Sequence, residues 1–262
     1  MRNKLCKSMM VILIIIIPIL FSCATTQQIE RKSKNGDSYF QSGNTYAQKR
    51  EYDQAILYYS KAIEIDSKFY QAYNNRGLAY FEKSEHDRAI YDFNKAIEID
   101  PKIYFGYFNR GLVYAEKGQY DLAIPDYAKA LELNSKFSSA YTNRGKAYVK
   151  KRQYDEAISD LKKAREIDPR DGDALLYLGE AYCNRGKIYS KKEQYDHAIS
   201  DFNNAIELRP RYAEAYYERG RIYYLKRDYD KCWKDINNAR LFDYKVPSEF
   251  VEQLRKDSGR ER

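Results

Sequence analysis

The chain has little of what catalytic and metal centres are made from. Two histidines, His86 and His197, occur in 262 residues. They fall at turns or helix starts of different segments, without metal-ligand spacing between them. No glycine-rich phosphate loop and no nucleophile motif is present, and the acids that recur do so at fixed places in a repeated pattern. An enzyme, a metal site and a bound cofactor are therefore not expected. Tryptophan occurs once, proline six times and cysteine four times. The excess of positive charge is slight: 46 basic against 38 acidic residues, a formal +8, with the two signs interspersed. That describes a solvated helical surface and does not argue for nucleic acid. The long apolar run, Met9 to Phe21, is too short for a comfortable membrane span of about 20 residues.

What is abundant is tyrosine, with 28 copies. A composition so skewed points to a pattern that reuses tyrosine at set places. Before that pattern begins, residues 1–22 read as an export signal: Arg2, Lys4 and Lys7 supply a basic start to the apolar run. The run ends in Leu20-Phe21-Ser22-Cys23, which resembles the lipobox of bacterial lipoproteins, although Phe21 departs from the usual small or β-branched residue. The resemblance implies that Cys23 is lipidated and becomes the new N-terminus; the alternative is an uncleaved N-terminal anchor. Removing residues 1–22 takes away three positive charges, leaving 8 − 3 = +5. Residues 23–35 form a lipidated cysteine with a polar tether reaching at most ~40 Å when extended. Export places Cys183 and Cys232 where disulfides are permitted, but each lies in a helix of a different segment, and buried small-residue duty is expected for both.

Self-similarity organises the rest. Tyr-Asn-Asn-Arg-Gly-Leu-Ala-Tyr (73–80), Tyr-Phe-Asn-Arg-Gly-Leu-Val-Tyr (107–114) and Tyr-Thr-Asn-Arg-Gly-Lys-Ala-Tyr (141–148) are copies of one phrase, with related forms at 182–189, 216–223 and, weaker, 39–46. The central glycines, Gly43, Gly77, Gly111, Gly145, Gly186 and Gly220, are spaced 34, 34, 34, 41 and 34 residues apart. A second refrain, Tyr-Asp-x-Ala-Ile, begins at Tyr52, Tyr120, Tyr154 and Tyr195, and His86 replaces its tyrosine once. Period and landmarks resemble the tetratricopeptide repeat (TPR). The resemblance implies an all-α fold: a right-handed solenoid of six helix-turn-helix hairpins, at 36–69, 70–103, 104–137, 138–171, 172–212 and 213–246, with a capping helix and tail at 247–262. The periodicity agrees independently, with apolar and small residues at helical spacing and breaks between units. A lone hairpin cannot bury its apolar face, so hairpins must stack. Ser248 is expected to cap the last helix, and Phe250, Val251 and Leu254 to cover the last hairpin.

The 41-residue gap adds seven residues, about two helical turns or ~700°. It should lengthen the first helix of the fifth repeat, to about 174–191, without rotating its apolar face, and leave it protruding. Gly179 and Gly186 compete there for one role. Arginine precedes the glycine in five repeats: Arg76, Arg110, Arg144, Arg185 and Arg219. Sixteen residues after each stands an acid: Asp92, Asp126, Asp160, Asp201 and Asp235. In the first repeat Ser42 and Tyr58 replace both members together, which favours a structural ion pair over a phosphate-binding row.

In the resembled family the first helices line a concave groove that binds an extended peptide or a partner helix. Asn75, Asn109, Asn143 and Asn184 resemble a peptide-binding asparagine ladder, since an amide offers both donor and acceptor; ordinary solvated or intramolecular hydrogen bonding is the alternative. The same wall is expected to carry Phe40, Leu78, Phe81, Phe105, Phe108 and Leu112, with Glu82 and Glu116, toward one end. Lys146, Lys150, Lys187, Lys191 and Arg221 follow toward the other. Such a groove suits a ligand with apolar anchors at one end and acids at the other, unless the aromatics are buried between hairpins and the lysines merely solvated. The expected function is a membrane-anchored protein–protein interaction scaffold in envelope complex assembly, with an unidentified protein or peptide as partner and no nucleic acid. The overall plan resembles pilotin-type and other envelope-assembly TPR lipoproteins. A self-assembling structural lipoprotein and a cell-wall or glycan-associated protein are the alternatives. Ala24 after Cys23 favours the outer membrane, facing the periplasm or the cell surface.

Overall fold

A computed structural model describes residues 35–260 as thirteen helices, with no strand among the described residues. After α1 (35–48) come α2 (Tyr52–Ile65), α3 (Tyr70–Glu82), α4 (His86–Ile99), α5 (Tyr104–Glu116), α6 (Tyr120–Leu133) and α7 (Ser138–Lys150). These are followed by α8 (Tyr154–Ile167), α9 (Gly172–Lys191), α10 (Tyr195–Leu208), α11 (Ala213–Leu225), α12 (Tyr229–Leu241) and α13 (Ser248–Ser258). Contacts divide the chain into two compact units, up to Val113 and from Tyr114 onward. In both, consecutive helices pack on one another, as α3 on α4 in the first and α7 on α8, α9 on α10 and α11 on α12 in the second.

Local chemistry explains the punctuation. Each turn from a first to a second helix needs one residue in the left-handed region, at Arg50, Ser84, Gly118, Arg152, Glu193 and Arg227. Glycine fills that place only at Gly118, so the other five turns are held against an intrinsic preference by the packing on either side. An aspartate follows as the second residue of each second helix; Asp53, Asp121 and Asp155 are examples, and the helix dipole favours negative charge there. The second helices α2, α4, α6 and α8 close on Asp66, Asp100, Asn134 and Asp168, whose side-chain oxygen accepts from the backbone N–H two residues on, at 2.9–3.2 Å. Those short side-chain turns stop the helix. Pro125 lies inside α6, where its ring removes one helical hydrogen bond.

The core is a stack of small residues opposite large ones. Two alanines per second helix are fully buried, as in Ala55/Ala62, Ala89/Ala96 and Ala157/Ala164. In α12 Cys232 stands where the refrain has its first alanine, and it is equally buried. The first-helix glycine lies under the large residue sixteen later. A Cβ on Gly77 would come within 2.8 Å of the Phe93 ring, on Gly145 within 2.6 Å of Leu161, and on Gly186 within 2.9 Å of Phe202. Cys183 and Cys232 are free and buried.

Helix α9 is lengthened as expected but does not protrude. It starts at Gly172, earlier than expected, because the Asp171 side chain accepts from Ala174 N at 2.9 Å and caps it. Its early turns are not free: Ala174, Leu178 and Gly179 are buried. Gly179 and Gly186 do not compete. Gly186 meets Phe202 of α10, while Gly179 underlies the Arg209 stem, which an added Cβ would approach to 2.8 Å. Arg185 reaches back to Asp155 of α8 at 2.6 Å, thirty residues earlier. The same thirty-residue link joins Lys83 to Asp53 and Lys151 to Asp121. Counted from α8, then, α9 is in register through Gly179, and counted toward α10 it is in register through Gly186. Seven residues are close to two full turns, so one helix can serve both registers with the same face.

At the C-terminal end α13 buries Val251 and Leu254 against Ile236 and Ala239 of α12, with Phe250 alongside. Ser248 does not cap it. Pro247 holds the capping position with no side-chain bond, and Ser248 is already the first helical residue. Arg260 donates to Asp230 at 2.6 Å, again thirty residues earlier. Thus α13 takes the seat that the first helix of another hairpin would occupy.

Candidate functional site

The arginine row is internal. Arg76, Arg144, Arg185 and Arg219 each grip the aspartate sixteen residues on through two parallel bonds of 2.7–2.8 Å. Asp92, Asp160, Asp201 and Asp235 are buried. Arg76 also donates to Ser60 at 2.8 Å, which ties it to the preceding hairpin, and tyrosine rings flank it at Tyr73 and Tyr80. Arg110 donates to Asn94 at 2.6 Å, and Asp126 is buried. Burial raises the Asp92 carboxyl, while the Arg76 guanidinium acts the other way.

In the first unit the amides form a relay. Asn109 Nδ2 donates to Asn74 Oδ1 at 3.0 Å, Asn74 Nδ2 to Asn75 Oδ1 at 3.2 Å, and Asn75 Nδ2 to Asn44 Oδ1 at 2.9 Å. The Tyr59 hydroxyl donates to that same Asn44 oxygen at 2.8 Å, and burial pushes its pKa up to about 12. Asn109 therefore does not stand on an open wall. It is 8% exposed and spent on Asn74, because its helix packs closely on the one before. Asn75 does border open space, a recess of about 420 Å³ that it shares with Gln41, Asn44, Gln48, Leu78 and Glu82. Glu82 accepts from the Tyr52 hydroxyl at 3.1 Å. With its oxygen doubly engaged, Asn44 has its amide N–H groups left to offer a ligand.

The apolar wall is thinner than expected. Phe40 is turned onto Phe69 (centroids 4.9 Å) and Tyr59 (5.8 Å), and Phe81 onto His86 (5.9 Å). Phe105 stands edge-on to Tyr104, and Phe105, Phe108 and Leu112 are half-buried. Leu78 is the predicted apolar residue that reaches the recess.

In the second unit the basic groups are largely answered. Lys146 pairs with Asp173 at 3.1 Å and lies over the Tyr177 ring at 5.0 Å, Lys187 pairs with Glu214, and Arg221 with Glu218 at 3.0 Å. Lys150 and Lys191 are exposed. Asn143 donates to Ser139 O of its own helix at 2.8 Å, and Asn184 is half-buried. A strongly basic wall therefore does not form, because first helices one repeat apart exchange lysine and acid. No asparagine phrase marks Gln41, Asn44 and Gln48 in the sequence, although their spacing of three and four residues puts three amides on one helical face.

Cys23 lies outside the described residues. Among these no helix is long and apolar enough to cross a membrane, and no cluster of His, Cys, Asp or Glu is placed to hold a metal ion.

A family model described as tetratricopeptide repeat matches residues 70–103, 138–171 and 179–212. A second, described as TPR repeat, matches 43–84 and 111–151, and a third tetratricopeptide repeat model matches 93–124. Comparison with curated protein sequences returns no match. Among solved structures the chain is similar to YrrB, described as a TPR protein with an unusual peptide-binding site, at 27% identity and TM-score 0.57, over 72% of this chain and 94% of that one. It is similar in fold to MamA at 24% identity and TM-score 0.57, covering 69% and 95% of the two chains. PilF of Pseudomonas aeruginosa shares the fold at 19% identity and TM-score 0.56, covering 86% and 99%.

Proposed function

The chain belongs to the tetratricopeptide repeat family, and from that premise we propose that it is a membrane-anchored scaffold that recruits a protein partner by holding an extended segment against its first helices. The observation that carries this reading is the amide-lined recess of the first unit. Gln41, Asn44, Gln48 and Asn75 offer donors and acceptors spaced along two neighbouring first helices, with Leu78 beside them. Such a lining suits backbone peptide groups whatever the ligand's sequence. The similarity to YrrB, a TPR protein with a peptide-binding site, supports the ligand class. The membrane anchor rests on the basic, apolar and Leu-Phe-Ser-Cys pattern of residues 2–23, and an envelope location follows from it.

The test is capture from a detergent-solubilised envelope extract by the full chain, beside a Gln41→Ala/Gln48→Ala/Glu82→Ala variant. These three side chains are exposed and carry no core packing. A partner retained by the first and lost by an equally folded second establishes recess binding; equal capture by both removes it. Release of the native chain from membranes by carbonate, without detergent, would remove the anchor.

A further inference from the structure

The first hairpin departs from the others on one face. In later hairpins the first-helix arginine lies between two tyrosines, as Arg76 between Tyr73 and Tyr80 and Arg219 between Tyr216 and Tyr223. It clamps its own aspartate, as Arg76 does Asp92, and Arg76, Arg110, Arg185 and Arg219 also donate to the hairpin before, at Ser60, Asn94, Asp155 and Asn203. The corresponding tyrosines persist in the first hairpin as Tyr39 and Tyr46, but Ser42 replaces the arginine and Tyr58 the aspartate. Among the described residues no hairpin precedes it for such a clamp to hold.

A compact aromatic and cationic patch takes its place. The Tyr58 ring stacks on Tyr46 at 5.1 Å and meets Tyr39 at 6.2 Å. Lys61 lies over Tyr58 at 4.9 Å and Tyr39 at 5.5 Å, and Lys49 over Tyr46 at 5.8 Å. In later repeats the lysine matching Lys61 pairs with the glutamate three residues on, as Lys95 with Glu98, Lys129 with Glu132 and Lys163 with Glu166; Lys61 turns to the rings instead. Asp92 is 1% exposed, whereas Tyr58 at the matching place is half-buried, and Leu57 beside it is 45% exposed. The last hairpin has α13 on its following side; among the described residues no helix covers the preceding side of the first.

We propose that the face of Tyr39, Tyr46, Tyr58 and Lys61 is a lipid-contact surface, seated on the headgroup layer of a bilayer carrying anionic lipid. Tyrosine rings with lysines reaching past them are the composition that membrane interfaces favour, because the ring has an apolar body and a polar tip and the lysine head stays in water. The chain just before this hairpin agrees: Arg31, Lys32 and Lys34 precede it, and basic residues beside an anchor are drawn to anionic headgroups. On the anchoring reading, a tether from Cys23 of at most ~40 Å keeps this face within reach of the bilayer. The inference rests on the anchoring reading above, and it sets the orientation: the recess-bearing unit lies against the membrane by its first hairpin.

The full chain carries one tryptophan, Trp233, in the second unit. Introducing Tyr58→Trp and reconstituting the full chain into vesicles with lipids brominated near the headgroup gives a direct reading against the unmodified chain. The expected result is loss of the emission of the introduced indole, with Trp233 emission retained. The loss should be larger with anionic than with purely zwitterionic vesicles, and smaller in a Lys49→Glu/Lys61→Glu background. Undiminished emission from the introduced indole, in a chain that floats with the vesicles, overturns the lipid-contact surface and leaves the anchor standing. A chain that does not float with vesicles overturns the anchor and this inference together. Quenching equal in zwitterionic vesicles and insensitive to the charge reversals overturns the anionic preference.

Discussion

At Gly77 a single methyl group decides how closely two helices approach. Alanine is a better helix former than glycine by roughly 1 kcal/mol, so propensity alone would favour Gly77→Ala. However, the added Cβ would stand 2.8 Å from the Phe93 ring, which is itself fully buried and cannot retreat. Overpacking of this kind costs about 1–3 kcal/mol, and the net expectation is a loss on the order of 1 kcal/mol in urea unfolding. Gly172 supplies the contrast. It opens α9 with nothing within 4 Å of its added Cβ, so Gly172→Ala should be neutral or stabilise by about 0.4–1 kcal/mol. Equal effects at the two sites would remove the close-packing account. The glycine phrase was legible in the sequence, but its partner was not. The large residue sixteen later varies among Tyr59, Phe93, Leu161 and Phe202, and only the packing shows that these are one position.

At the scale of the element, α13 determines how the repeat ends. Leu254 is fully buried, and with Val251 it covers the apolar face that α12 would otherwise expose. Leu254→Ala should remove about 2–5 kcal/mol from that contact, more than a terminal helix of eleven residues can lose and stay docked. The expected outcome is rapid tryptic cleavage at Arg255 while the bulk of the helical signal remains. Glu252→Ala, on the exposed side of the same helix, should leave the cleavage rate unchanged. A Leu254→Ala chain as resistant as its parent would show that α13 is held by its Tyr224–Asp257, Trp233–Ser258 and Arg260–Asp230 contacts instead. The fifth-repeat helix gives the opposite lesson about reading elements. Its lengthening by two turns followed from the count of residues, yet its even burial did not, because burial depended on α8 and α10 using different halves of it.

The molecule as a whole is a protein-interaction scaffold in which buried thiols and phenols hold their protons tightly. Burial pushes Cys183 and Cys232 from 9.0 up to about 12, and Tyr59 from 10.0 up to about 12. For each, the unfolded chain releases its proton at a lower pH than the folded one. Between the two values the folded state therefore binds more protons, and stability falls as pH rises, by about 1.4 kcal/mol per unit for each group. The stability these groups contribute is complete below about pH 9 and is lost progressively toward pH 12. Thermal midpoints should accordingly drop steeply above pH 9, and a Cys183→Ala/Cys232→Ala chain should show a shallower decline, whatever its starting stability. Alkylation at pH 8 should reach Cys183 and Cys232 only in urea; modification of both in the native chain would contradict their burial.

The all-α class, the repeat and its punctuation were determined by sequence alone, because periodicity of helix and turn is a local property repeated often enough to be seen within one chain. Which arginine faces which aspartate can also be read there, since Ser42 and Tyr58 lose both members at once. Tertiary structure decided what the first helices present to a ligand. Asn75 and Asn109 have the same place in the motif, but one opens onto a recess and the other is consumed by Asn74. Lys146 and Lys187 look like a basic wall until Asp173 and Glu214 are brought beside them from the next first helix. A motif fixes where a side chain leaves the backbone; whether it meets solvent or a partner depends on the neighbouring hairpin, some thirty residues away and invisible to any local pattern.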